Sequence, residues 1–308
     1  MTLQQLEYIL AVEQTGNFTK AAKNCLVTQP TLSAMIQKLE EELQVKIFDR
    51  DKQPVVPTAI GRIVLKQASL LLSQASHIQD HIEEERHSLA GIFRLGVLPT
   101  IAPYLLPRFF PNLMKKYPQL DIRVTEMKTT AIKQALCDEE LDGGIVASLP
   151  RMDDFQMTSL YYEQFFGYVA RGAKLFENRL IRTADVKNQQ LWLLDEGHCF
   201  RDQLMTYCQL SEARMSQQVY RLGSMETFMR MVEGGKGITF IPELALDQLS
   251  EQQKELVRPF AIPCPTRQIV LLTSKDFIRD SLRKMLVEEI QNAVPKVMLS
   301  KQATQQLV

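Results

Sequence analysis

Val27-Thr28-Gln29-Pro30-Thr31-Leu32-Ser33-Ala34-Met35-Ile36-Gln37-Lys38-Leu39-Glu40 decides how the first sixty residues of this chain fold. Thr28 is a good helix N-cap, Pro30 falls in the first turn where its missing N–H costs little, and Leu32, Ile36, Leu39 and Leu43 recur as a buried helical stripe. Upstream, Leu3, Leu6, Ile9, Leu10 and Val12 fit an amphipathic helix that stops near Gly16. A second short helix starts after Asn17, and its paired Ala21 and Ala22 let a third helix approach closely. Two helices joined by a short turn, the second opening with small polar residues, form the helix-turn-helix pattern. Gln29, Thr31, Ser33 and Gln37 then project from its exposed face toward base edges and phosphates, although small helical bundles without DNA carry the same stripe.

Further along, Val64, Ala68, Leu71, Ala75, Ile78 and Ile82 alternate spacings of four and three over about three heptads. Such a stripe between two domains seeks a partner helix, most simply from a second copy of the chain; packing within the chain is the alternative. After Gly91 apolar runs alternate with amphipathic helices: strands at 93–98, 120–127 and 144–147, and helices at 102–117 and 131–140. This order implies a mostly parallel sheet covered on both faces. Further strands are expected at 165–170, 191–194, 219–222, 238–241 and 268–273, with a final helix through Val294 and a polar tail from Ser300 to Val308. Gly234-Gly235-Lys236-Gly237 follows a helix instead of a strand, so it reads as a helix stop and not as a phosphate loop.

The chain is 308 residues long with 45% apolar residues, enough for two domains. Lysines plus arginines equal aspartates plus glutamates at 36 each, so net charge gives no sign of a nucleic-acid partner. No basic leader with an apolar core and no window of eighteen apolar residues occurs, which points to a cytoplasmic protein without a membrane partner. Five cysteines make a poor disulfide framework, no Cys-x-x-Cys offers metal spacing, and no metal or cofactor is called for.

One segment crowds reactive groups together: Gly197-His198-Cys199-Phe200-Arg201-Asp202-Gln203-Leu204-Met205-Thr206-Tyr207-Cys208. Phe200, Leu204 and Tyr207 recur at helical spacing, which puts Cys199 near a helix N-terminus, where dipole and unpaired N–H groups favour the thiolate. Nine helical residues rise by about 13.5 Å. A disulfide needs Cα atoms within about 7 Å, so if Cys199 and Cys208 ever bridge, the helix between them must unwind. Thr100 and the pair Thr129 and Thr130 follow strands, where ligand sites of such sheets lie; threonine there is also an ordinary helix cap.

The run Phe18-Thr19-Lys20-Ala21-Ala22, then Thr28 to Ser33, Lys38 to Leu43, Ile47-Phe48-Asp49-Arg50 and Thr58-Ala59-Ile60-Gly61, resembles the N-terminal domain of LysR-type transcriptional regulators. The resemblance implies an all-α winged helix-turn-helix with a wing around Arg50 to Pro57, a linker helix, and a C-terminal α/β regulatory domain of two subdomains like those of periplasmic binding proteins. The divisions expected are 1–58 for DNA binding, 59–90 for the dimerising linker and 91–300 for the regulatory domain, with subdomain I at about 91–162 and 267–300 and subdomain II at about 163–266. Candidate DNA contacts are Thr28, Gln29, Pro30, Thr31, Ser33, Gln37, Lys38, Arg50 and Lys52. Gln37 stands where many members carry arginine, and Pro57 where leucine is common, so base preference and wing shape do not transfer.

Leu98-Pro99-Thr100, Pro103 to Pro107, Asp195 to Cys199, Arg201-Asp202-Gln203, Cys208 and Ser224-Met225-Glu226-Thr227 are similar to the peroxide-sensing OxyR branch of that family. This implies that hydrogen peroxide oxidises Cys199 to a sulfenic acid, which Cys208 captures as a disulfide. It implies supporting roles for His198 in orienting the thiol, Asp202 or Thr129 in proton relay, Thr100 in holding peroxide and Arg267 in lowering the thiol pKa. Implied partners are a double-stranded DNA operator, a second copy through the linker helix and a tetramer beyond it, RNA polymerase and a cellular dithiol reductant. A regulator gated by a small metabolite, a thiol peroxidase and a solute-binding protein are the alternatives. The peroxidase leaves the N-terminal motif unexplained, and the solute-binding protein is disfavoured by the missing export signal.

Overall fold

A computed structural model describes residues 1–86, 89–150, 152–186, 189–194, 199–210 and 224–308. Two compact units emerge, Met1–Arg86 with Cys137–Glu140, and His87–Leu136 with Leu141–Val308.

The first unit is assembled from capped helices. In α1 (Leu3–Thr15) Thr2 and Gln5 form a reciprocal capping box, and Gly16 ends the helix in the left-handed region at φ 58°. Asn17 Oδ1 accepts the Thr19 and Lys20 N–H groups to start α2 (Phe18–Asn24), and Thr28 Oγ1 accepts from Thr31 to start α3 (Gln29–Leu43). Ala21 and Ala22 are buried, as close helix approach requires. Leu32, Ile36 and Leu39 form the buried stripe of α3, but Leu43 does not join it: it is exposed at the helix end, and buried Glu40 occupies the inner face instead. Glu40 Oε1 accepts the Ile47 and Phe48 N–H groups, which is what makes its burial tolerable. Strands β1 (Phe48–Asp49) and β2 (Val56–Pro57) pair antiparallel to make the wing. Thr58 then caps α4 (Ala59–Glu85), 27 residues or about 40 Å long. Gly61 lets α4 start against the wing: a Cβ there would lie 2.0 Å from the Ile47 carbonyl oxygen.

The second unit runs β3 (Gly91–Val97), α5 (Ala102–Lys116), β4 (Leu120–Glu126), α6 (Thr129–Cys137), β5 (Gly143–Ala147) and β6 (Phe155–Val169). It continues through α7 (Thr183–Val186), α8 (Cys199–Tyr207), α9 (Met225–Glu233), β7 (Ile238–Pro242), α10 (Glu251–Lys254), β8 (Val257–Pro259), β9 (Cys264–Ser274), α11 (Asp280–Ala293) and β10 (Gln305–Leu307). The strand order is β4-β3-β5-β9-β6-β7, with β8 on β6 and β10 on β9. The expected mostly parallel sheet holds in part: β3 is parallel to β4 and β5, and β10 to β9, whereas β9 runs antiparallel to β5 and β6 and β6 antiparallel to β7 and β8. The reason is that β9, reached late in the chain, runs back between β5 and β6 against the direction that those two share.

β6 is the organising strand. From Phe155 to Gln164 it pairs with β9, and from Phe165 to Val169 it pairs with β7, so it passes from one set of strands to the other in a single run. Residues 191–194 form no ladder beyond a bridge from Leu191 to Ile238, and the strand expected at 219–222 lies outside the described residues. The expected polar tail is also corrected: Gln305–Leu307 pairs parallel with Cys264–Thr266, and Val308 N–H donates to the Thr266 carbonyl. Only Gln305 of this strand is buried, Gln306 and Leu307 being exposed, so the segment has no alternating apolar pattern to mark it as a strand.

Candidate functional site: a buried thiol beside an arginine

The six side chains expected to act together, Cys199 with Thr100, Thr129, His198, Asp202 and Arg267, converge in part. Cys199 opens α8 and is 5% exposed; Thr100 follows β3, Thr129 opens α6 and Arg267 lies on β9, all three buried. Arg267 is fixed on two sides. Its Nε and Nη2 meet Glu163 Oε2 at 2.9 and 2.8 Å, its Nη1 donates to Thr100 Oγ1 and its Nη2 to the Thr100 carbonyl, each at 3.0 Å. The guanidinium also lies 5.0 Å from the centre of the Phe200 ring, next in sequence to Cys199. Glu163 faces Arg267 because β6 and β9 pair them directly, and its Oε1 accepts the Leu244 N–H.

The thiol does not have the lowered pKa that a helix N-terminus and an arginine led us to expect. Burial pushes Cys199 above the ordinary thiol value; Arg267, the Thr129 hydroxyl and the Phe200 N–H pull it back, and Asp202 adds to the rise. Desolvation wins because the sulfur is almost wholly removed from water. Its surroundings are nonetheless polar. The Thr129 hydroxyl is close enough to favour the thiolate, yet it is buried without a formed hydrogen bond to nitrogen or oxygen. Asp202 is exposed on α8, though near enough to act on the thiol, and His198 lies outside the described residues.

Cys208 is fully buried at the far end of the helix, where its N–H donates to Leu204 and Gln209 turns left-handed at φ 50°. All five cysteines are free thiols. Nine residues of helix hold the two Cα atoms about 13 Å apart, roughly twice the reach of a disulfide. Among the described residues no cluster of three or more His, Cys, Asp and Glu side chains offers a metal site.

On the first unit, Thr28, Gln29, Pro30, Thr31, Gln37, Lys38, Arg50 and Lys52 are exposed and Ser33 is half-buried. Arg50 is already engaged: it meets Glu40 at 3.1 Å, reaches Ser33 Oγ at 3.4 Å and lies over the Phe18 ring. Gln37 donates to Glu41 and Lys52 pairs with Asp49. Glu40, Glu163 and Gln203 were given no role from the sequence. Glu40 was hidden by its place in an acidic run, and Glu163 by the 104 residues that separate it from Arg267.

The profile of the LysR substrate binding domain matches residues 86–294, and that of the bacterial regulatory helix-turn-helix protein, lysR family, matches residues 3–62. A hydrogen peroxide-inducible genes activator of Haemophilus influenzae is 31% identical, over 88% of this chain and 90% of its own length. The crystal structure of OxyR from Porphyromonas gingivalis is 49% identical with a TM-score of 0.66, covering 71% of this chain and 99% of that one. Full-length OxyR from Pseudomonas aeruginosa, carrying a cysteine-to-aspartate substitution, is 32% identical with a TM-score of 0.75, covering 94% and 98%.

Proposed function

The chain belongs to the LysR family of bacterial helix-turn-helix regulators, and on that footing we propose that it is a DNA-binding transcriptional regulator switched by hydrogen peroxide at Cys199. One observation carries the reading: two free thiols sit at opposite ends of a single helix, the first beside a fixed guanidinium. Cys199 thiolate attacks one peroxide oxygen; an S–O bond forms, the O–O bond breaks, and hydroxide leaves as water after gaining a proton. Arg267, Thr129 and the Phe200 N–H favour the thiolate, and Thr100, which accepts from Arg267, is the candidate to hold peroxide. Asp202 and His198 are candidate members of the proton route.

Cys208 thiolate then attacks the sulfenic sulfur: an S–S bond forms, the S–O bond breaks, and hydroxide leaves as water after gaining a proton. Because the helical separation exceeds the reach of a disulfide, the product excludes the α8 helix. A cellular dithiol resets the switch by exchange. Repacking of the regulatory unit passes to DNA through α4, whose Leu71, Ile78 and Ile82 are exposed and suit a second copy, with tetramers built from such dimers. Two copies present two α3 helices to an operator with matching two-fold symmetry, where RNA polymerase is the downstream partner. Among the described residues no helix is long and apolar enough to cross a membrane, in keeping with a cytoplasmic setting.

Replacing Cys199 by serine tests this against a metabolite-gated regulator. The expected result is normal operator binding and no response to peroxide; an undiminished peroxide response would end the redox reading.

A further inference from the structure

The helix that carries both thiols is tied down by a strand to which the redox cycle gives no part. β10 lies parallel to the start of β9, Gln305 opposite Cys264 and Leu307 opposite Thr266. The Cys264 N–H donates to the Thr304 carbonyl at 2.8 Å, and the Val308 N–H to the Thr266 carbonyl at 3.1 Å. From α8, Gln203 Nε2 donates to the Val308 main-chain oxygen at 2.7 Å. Gln203 is 4% exposed and stands midway between Cys199 and Cys208. Its Oε1 is buried without a hydrogen-bond partner, a cost that an apolar side chain would not incur. The polar contact that this buried amide does make is therefore to β10. One turn on, the Tyr207 hydroxyl donates to the Pro263 carbonyl, at the entry to β9.

We propose that Gln203 is a positioning residue and β10 the strap it is fastened to, together keeping α8 helical so that capture of oxidised Cys199 by Cys208 waits on release of the Gln203–Val308 bond. The inference rests on the reading that these two thiols bridge. Peroxide attack on Cys199 forms S–O and breaks O–O with the helix intact, so the strap leaves that step alone. In the second step the Cys208 sulfur displaces water from the sulfenic acid, and closing about 13 Å to less than about 7 Å displaces the middle of the helix, where Gln203 sits. A hydrogen bond of 2.7 Å does not survive that displacement. The strap thus sets how long the sulfenic acid persists, and with it the share over-oxidised when peroxide is in excess.

Hydrogen exchange on the full chain, combined with rapid-quench thiol mapping, tests this. In the reduced chain, amides at 302–308 and 264–266 should exchange slowly. Disulfide formation should speed exchange at both, and a Cys208→Ser chain given the same peroxide should keep its protection. A chain ended at Thr304 should consume peroxide at an unchanged rate yet form the disulfide about three- to tenfold faster, the effect of losing one buried hydrogen bond. In a Gln203→Leu background the same truncation should change disulfide formation by less than about twofold. Gln306→Pro, which lifts β10 from β9 without shortening the chain, replaces the truncation if the shorter chain does not fold. Unchanged exchange at 302–308 after the disulfide has formed, or equal acceleration by truncation with and without Gln203, would overturn the strap. Absence of any Cys199–Cys208 disulfide in the parent would instead overturn the reading beneath it.

Discussion

At Cys199 burial and its polar neighbours oppose each other, and the balance fixes when the thiol reacts. Its pKa in the fold is raised above the unfolded value, so the fold favours the neutral thiol. The stability from that preference is full below the ordinary thiol pKa, about 8.5, and is lost as pH rises through the raised value. Because the thiolate is the nucleophile, the rate with peroxide should climb over the same interval, measured by stopped-flow across pH 6 to 10, and a plateau already reached at about pH 7 would contradict the raised pKa. Thr129→Val removes a buried hydroxyl that has no formed hydrogen bond to nitrogen or oxygen and acts on the Cys199 sulfur. It should slow the peroxide reaction about three- to tenfold while leaving thermal stability equal or slightly higher; a loss of more than about 2 kcal/mol would mean the hydroxyl is structural. Thr100, Thr129 and Arg267 were legible in the sequence because the resemblance to peroxide-sensing relatives carried them. Glu163 was not, because strand register, which sets it opposite Arg267, has no mark in residue spacing.

Elements obey a similar division. The cap at Thr28, the helix start after Asn17 and the stop at Gly16 were readable because each is settled within one turn of chain, whereas the caps at Thr2 and Thr58 went unread. The inward turn of Glu40 was not readable, since it depends on the wing arriving with two N–H groups to satisfy it. Glu40→Ala leaves those donors buried and Arg50 without its carboxylate. It should cost the DNA-binding unit about 2–4 kcal/mol in chemical denaturation and weaken operator binding; wild-type stability would show that water replaces the carboxylate. α4 presents Leu71, Ile78 and Ile82 outward, the later part of the stripe in the heptad spacing, whereas Ala68 is buried in the first unit's own core with Val64 packed against it. Ile78→Asp should shift the protein toward monomers in analytical ultracentrifugation and reduce affinity for a two-half-site operator, whereas an unchanged mass would place the dimer elsewhere.

Across the whole molecule the proposed peroxide signal begins at one helix, because α8 opens on Cys199 and Cys208 follows its last residue. Net charge of zero gave no hint of DNA, and the alternation of strands and helices foretold an α/β unit without revealing that β6 and β9 would join its halves antiparallel. Those features depend on residues far apart in sequence, and periodicity reports only neighbours. Central to the account is that oxidation joins Cys199 to Cys208 at the expense of α8. Arg201 lies between the two thiols, so trypsin places them in separate peptides, one ending at Arg201 and one running from Asp202 to Arg214, held together only by a disulfide. The decisive measurement is mass mapping of the full chain under non-reducing conditions after one equivalent of peroxide, with helix content followed in parallel. The account predicts the two peptides linked, lighter by two hydrogens and released by dithiol, with a fall in helical signal that reduction restores. Cys199 found as sulfinic acid with Cys208 still a free thiol, or a linked pair with the helix undiminished, would contradict it.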